Sequence, residues 1–128
     1  CYSDPGLHSA RELTRKPVLG ISECGVLTAL TLGHRFGVIA ILAGSIPRHL
    51  RYLGAMGVTD RLAAELPVGL QVTELADVQT HGAHVVVMGC AGMAQYRREL
   101  EDAIGVPVVE PTQAAAGMAL ARVRLMGS

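Results

Sequence analysis

The sequence predicts an α/β fold, a mainly parallel sheet flanked by helices, and three observations carry that prediction. Short aliphatic runs alternate along the chain with stretches whose apolar residues recur three or four apart, the rhythm of strand, helix, strand. One run, Val85-Val86-Val87-Met88, is apolar at every position, as a strand buried on both faces of a parallel sheet must be. Gly or Pro closes most segments (Pro17, Gly33, Gly57, Pro67, Gly105), ending a helix or opening a turn. The length, 128 residues, is that of one domain and lets roughly two-thirds of the unfolded surface be buried. Hydrophobic residues make up 50% of the chain but only four are aromatic, three Tyr and one Phe, so the core is aliphatic.

Taken in order, Cys1-Tyr2-Ser3-Asp4-Pro5-Gly6-Leu7 opens the chain with strong turn chemistry at Asp4-Pro5-Gly6. Residues 8–16 read as a short helix stopped by Pro17. Val18-Leu19-Gly20-Ile21 reads as a strand. Ser22 reads as the N-cap of a helix through Leu32, and Gly33 as its C-terminal cap. Residues 35–42 form the next strand, with Phe36, Val38, Ile39 and Ile41 inward. A helix then starts around Ile46, with Pro47 in its first turn, and runs to Met56 before Gly57. Residues 60–66 read as a further short helix and residues 68–75 as a strand. The strand at 84–88 follows after only residues 76–83, whereas a parallel crossover takes a dozen or more. A crossover segment near residues 76–82 is therefore expected to be missing. A helix over 92–104 carries Arg97, Arg98, Glu99, Glu101 and Asp102 on its outer side. A strand at 106–109 follows, whose Pro107 marks a sheet edge. An Ala-rich helix over 113–126 ends the chain.

Eleven basic residues balance eleven acidic ones. Zero net charge argues against nucleic acid or a membrane surface as the main partner, and no apolar run reaches the roughly 18 residues of a spanning helix. There is no secretory signal pattern, and three cysteines do not make a disulfide framework, so a reducing, cytoplasmic setting is expected. The first residue is Cys1 rather than Met, which is expected of a processed chain or a part of a longer protein.

The chemistry concentrates in Val85-Val86-Val87-Met88-Gly89-Cys90-Ala91-Gly92-Met93. Cys90 stands where a buried strand ends and a helix begins. Unpaired N–H groups and the helix dipole favour negative charge there, so a thiol can be poised toward thiolate. The other reading is a small buried Cys in a strand–helix turn. Cys1, like Cys90, is followed by small and turn residues. Two thiols on opposite sides of a pocket could act as acid and base at a carbon acid, since a thiol's unperturbed pKa of about 8.5 is easily brought near working pH. Cys24, inside a predicted helix, reads as packing. Ligands in open α/β sheets bind beyond the C-terminal ends of the strands. That adds Pro111 and Thr112, in the turn after the last strand, as candidate substrate contacts. His81 and His84 lie three apart but form no metal-ligand pattern. Arg48, His49, Arg51 and Arg61 read as a solvated basic face. There is neither a phosphate-binding Gly-rich loop nor a Gly-x-Ser-x-Gly elbow.

Cys1-Tyr2-Ser3-Asp4-Pro5-Gly6-Leu7 and Met88-Gly89-Cys90-Ala91-Gly92-Met93 together resemble the two cysteine motifs of the hydantoin racemase family, within the Asp/Glu racemase superfamily. Gly20-Ile21-Ser22-Glu23, Gly33-His34-Arg35-Phe36 and Gly105-Val106-Pro107-Val108-Val109 extend the resemblance over most of the chain. It implies one lobe of a two-lobed α/β fold with the active site between the lobes, and a reaction without metal or cofactor. Cys1 and Cys90 would exchange the proton of the substrate's stereocentre. Backbone N–H groups at Tyr2, Ser3, Ala91 and Gly92 would hold the carbonyl oxygens and the enolate-like charge. Residues 1–16 would then belong to a largely absent N-terminal lobe, 17–110 would form the lobe with the second cysteine, and 111–128 a helix packing back on the first lobe. The chain alone is then expected to be poorly active.

A neutral, ring-shaped amide suits Ala91-Gly92-Met93, which places no charge beside the thiol. The expected activity is thus a racemase or epimerase of a hydantoin-like cyclic ureide, a small-molecule substrate, in a homo-oligomer. The alternatives are a related decarboxylase or isomerase, similar to arylmalonate decarboxylase or maleate isomerase, and a non-catalytic ligand-binding α/β module.

Overall fold

The computed structural model describes residues 3–67 and 81–127. Its elements are α1 (Leu7–Leu13), α2 (Ile21–Leu32), β1 (Phe36–Ala40), α3 (Ile46–Met56), β2 (Leu62–Pro67), β3 (Val85–Met88), α4 (Arg97–Ile104), β4 (Val108–Val109) and α5 (Pro111–Leu125). The four strands form one parallel sheet in the order β2-β1-β3-β4. The fold is the α/β architecture expected, with five helices around the sheet among the described residues.

β1 and β3 occupy the middle of the sheet and every residue of both is buried. Their alternate side chains feed two cores, as the period of two requires. On one face Phe36, Val38, Val85, Val87 and Val109 pack under Val26 and Ala29 of α2 and Leu53 of α3, with Ala114 of α5 at the margin. On the other, Ile39, Val86, Met88 and Val108 pack against Leu100 and Ile104 of α4. Each such aliphatic side chain contributes about 1.5–3 kcal/mol of burial free energy, which is how a chain so poor in aromatics holds a layered sheet.

Three local expectations are corrected. Val18-Leu19-Gly20-Ile21 is not a strand: residues 17–20 are outside regular structure and α2 begins at Ile21. Ser22 lies inside α2 rather than capping it, and no side chain of the preceding residue caps the helix either. Residues 60–66 are not a helix. A 3-10 turn at Thr59–Arg61 leads into β2, which pairs with β1 in parallel. The Ala, Leu and Glu of Leu62–Pro67 favour helix intrinsically, and backbone pairing to β1 overrides that weak preference. Gly33 closes α2 as expected, in an extended conformation (φ −161°). It is glycine because a Cβ there would stand 2.6 Å from the Cβ of His84.

The expected strand over 68–75 and the connection at 76–82 fall outside the described residues, apart from His81 and Gly82 in a turn. With β2 ending at Pro67 and β3 starting at Val85, residues 68–84 separate the two strands. The remaining elements sit within a few residues of their expected places. The helix after Cys90 starts as a 3-10 stretch, Ala91–Tyr96, before α4. The edge position of β4 agrees with Pro107 just before it. No helix among the described residues is long and apolar enough to cross a membrane.

Candidate active site

β3 delivers Cys90 to the C-terminal end of the sheet. Its last residue, Met88, is buried, and Gly89 then presses against β1. The Gly89 N–H donates to the Ile39 carbonyl at 2.8 Å, and a Cβ on Gly89 would lie 2.3 Å from that same oxygen. Only glycine fits, and the approach sets where the next residue emerges. Cys90 is extended (φ −155°, ψ 141°) and immediately precedes the 3-10 stretch. It is a free, half-buried thiol. Its carbonyl accepts from Met93 N–H at 3.3 Å. The sulfur lies over Gly92, 3.9 Å from where a Cβ there would stand. The N–H groups that open a helical stretch have no partner within it, and Ala91 and Gly92 open the stretch that follows Cys90.

The first cysteine motif is anchored by Asp4. Cys1 and Tyr2 lie outside the described residues; Ser3 is half-buried in the turn that follows them. Asp4 has a left-handed backbone (φ 47°). Its carboxylate accepts from the Ser22 N–H at 3.0 Å and the Glu23 N–H at 2.9 Å, and from the Tyr52 hydroxyl. The motif therefore caps α2 from across the chain, ties itself to α3, and satisfies N–H groups that Ser22 was expected to serve. Gly20 has to be glycine for this, since a Cβ would overlap the Asp4 carboxylate at 2.2 Å. Arg11 adds a second tie. Its guanidinium donates to both Glu23 oxygens at 2.7 and 3.2 Å and to the Val18 carbonyl at 3.1 Å.

At the end of β4, Glu110 is buried and its two carboxylate oxygens accept from the N–H groups of Thr112 (3.0 Å) and Gln113 (2.7 Å). Pro111 is fully buried and packs close to Gly25 of α2, while Thr112 is exposed. Of the two expected contacts in this turn, only Thr112 offers a side chain to the surface.

Asp4 and Glu110 are anchors that sequence reading took only as turn residues. An acid followed by Pro at the first helical position was a usable sign for Glu110. Nothing local marks Asp4, whose helix lies 18 residues on. The buried pair of His49 and Glu65 was also missed. The two side chains are hydrogen-bonded between α3 and β2. Burial pushes the Glu65 carboxyl above its ordinary value, and the bond to His49 pulls it partway back. Cys24 is fully buried, as expected of a packing residue, and burial raises its pKa, with the charges of Glu23 and Asp4 adding to the effect. His81 and His84 are both exposed, and no cluster of three or more metal-ligating side chains occurs among the described residues. A groove of about 760 Å³ runs between Thr14, Arg15, Lys16, Pro17 and Leu19 on one side and, on α5 and just past its end, Ala119, Val123 and Met126 on the other; none of the expected site residues lines it.

The family model for Asp/Glu/hydantoin racemases matches residues 1–119. The chain belongs to that family. It is 36% identical to a hydantoin racemase of Rhizobium meliloti over 135 residues, which covers 93% of this chain and 56% of that protein. With a hydantoin racemase of Paenarthrobacter aurescens it shares 35% identity over 142 residues, covering 98% of this chain and 60% of the other. The crystal structure of an allantoin racemase from Pseudomonas fluorescens superposes with a TM-score of 0.85 at 30% identity, over 97% of this chain and 60% of that one. The chain thus spans between half and two-thirds of the length of these relatives. In this racemase-family chain, Gly89 fixes where Cys90 leaves the sheet, and Asp4 ties the turn before α1 to α2 and α3.

Proposed function

We propose that the protein acts as a racemase or epimerase of a hydantoin-like cyclic ureide, exchanging the proton on the ring carbon between a carbonyl and a nitrogen. One of Cys1 and Cys90, as thiolate, takes that proton. The electron pair left on carbon delocalises into the neighbouring carbonyl. The other cysteine, as thiol, delivers its proton to the opposite face, so each turnover inverts the centre and exchanges which sulfur is protonated. Charge gathers on the carbonyl oxygen during the step, and the backbone N–H groups of Ala91 and Gly92 are its donors on the Cys90 side. Preorganised donors of this kind are worth about 3–4 kcal/mol of barrier each. Tyr2 and Ser3 supply the corresponding amides beside Cys1, and Thr112 a side-chain contact. No cofactor is called for, because both proton positions are served by thiols.

The observation that carries this reading is the placement of Cys90: a half-buried free thiol at the C-terminal end of a central strand, beside unpaired helix-start amides. The chain's membership in a family with hydantoin and allantoin racemases supports it. In the same reading residues 1–16 belong to a companion lobe and α5 packs back on it, which accounts for the exposed Leu13, Leu120, Leu125 and Met126, and the protein works as a homo-oligomer in the cytoplasm.

The test is to incubate the protein with a single enantiomer of a 5-substituted hydantoin in deuterium oxide, following optical rotation and deuterium at the ring carbon. Rotation is expected to fall as deuterium enters. Cys1→Ala and Cys90→Ala should each stop racemisation; normal turnover by Cys90→Ala would overturn the two-thiol mechanism.

A further inference from the structure

β1 and β3 leave the sheet side by side, and what β1 presents there is apolar and uncovered. The register pairs Ile39 with Met88. The next positions along are Ala40 beside Gly89, which the structure bears out: the Cα of Ala40 lies 3.3 Å from where a Gly89 Cβ would stand. Continued one step past the last paired residues, the same register would set Ile41 level with Cys90. Ile41 was expected to be buried in a strand reaching residue 42, but β1 stops at Ala40. Ile41 is 43% exposed and Leu42 is 64% exposed. Both belong to the short connection between β1 and the 3-10 turn at Ala43–Ser45. Two large aliphatic side chains are therefore held open at the sheet end where the thiol emerges, and the connection, residues 41–45, contains no charged side chain.

We infer that Ile41 and Leu42 form the subsite for the substituent on the substrate's ring carbon, and that they select an apolar substituent over a polar, hydrogen-bonding one such as a ureido group. This rests on the racemase reading and deepens it by naming the substrate class. The physical basis is asymmetric. An aliphatic substituent leaves water for Ile41 and Leu42 and removes their exposed surface as well. A ureido group there would lose its hydrogen bonds to water with no donor or acceptor side chain on residues 41 and 42 to replace them. Differences of this kind discriminate ligands by about tenfold or more.

The test measures protection of Cys90 from iodoacetamide, read by mass spectrometry of the peptide that carries it, with 5-isobutylhydantoin and allantoin in parallel. 5-Isobutylhydantoin should protect at a concentration about tenfold lower than allantoin. Ile41→Thr and Leu42→Asn should each narrow that gap, and the double variant should close it, with unsubstituted hydantoin protecting all of them alike. Both residues are solvent-exposed, so the variants are expected to keep the parent's circular dichroism and unfolding midpoint. Equal protection by the two ligands in the parent, or a preference untouched by either substitution, would overturn the subsite while leaving the racemase reading in place. Failure of every hydantoin to protect Cys90 would overturn both.

Discussion

The amide of Gly89 and the carbonyl of Ile39 meet at 2.8 Å, and this contact, where a side chain has no room, aims the Cys90 thiol. β3 and β1 are held edge to edge up to the last residue before the cysteine, so the thiol emerges from the most buried part of the sheet at a fixed place. Gly89→Ala would put a methyl 2.3 Å from the Ile39 oxygen and force the strands apart. We expect a loss of about 1–3 kcal/mol in urea unfolding, the usual range for overpacking. Ligand protection of Cys90 should fall even at temperatures where the variant stays folded.

The Asp4 carboxylate caps α2 from outside the helix. Asp4→Ala removes two charge-assisted bonds to backbone amides and the partner of the Tyr52 hydroxyl. A cost of about 1–2 kcal/mol is expected, as for other N-cap deletions, measured by chemical unfolding. Asp4→Asn keeps one acceptor and should recover part of it. A variant as stable as the parent would show that α2 needs no cap from the first motif.

Cys24 and Cys90 should differ sharply toward alkylating reagents. Cys24 is fully buried in α2, and burial keeps its thiol neutral at neutral pH by raising its pKa. Iodoacetamide is expected to label Cys90 in the native protein and to label Cys24 only as the protein unfolds. Equal labelling of both under native conditions would contradict the packing of α2 on the sheet.

Glu65 gives stability a definite pH dependence. Its folded-state pKa is raised by burial, net of the bond to His49, so the folded protein holds the Glu65 proton more tightly than the unfolded chain does. That contribution is fully present below the unfolded value, about 4.3, and is lost as pH rises through the folded one. Glu65→Gln keeps a neutral, hydrogen-bonding group of the same size. Its stability relative to the parent should therefore climb as the pH rises above the ordinary carboxyl value, about 4.3, in urea unfolding. A constant difference across that range would show that Glu65 ionises as freely folded as unfolded.

Much of this fold was legible in the residues. β3 announced itself because a strand buried on both faces has no polar position, and the pattern of Val85–Met88 has none. Gly57 and Gly105 marked helix ends and do adopt left-handed backbones there (φ 76° and 74°). Leu62–Pro67 misled because its Ala, Leu and Glu fit a helix, and nothing within it reveals that β1 lies alongside. Gly33 was identified as a helix end, and it is one; what the sequence did not show is that His84, some fifty residues away, leaves room only for glycine there. Cys90 was singled out as the strand-to-helix thiol from local pattern alone.

Local pattern determined which segments could become helices and strands, which faces were apolar, and that a thiol would stand at the end of the central strand, because these follow from the period of the chain and the chemistry of single residues. Only the tertiary structure decided the strand order, the Asp4 cap on α2, the pairing of His49 with Glu65, and the exposure of Ile41 and Leu42 at the end of β1. Each depends on two stretches distant in sequence being brought within a few ångströms. No propensity or spacing within either stretch encodes what the other places against it.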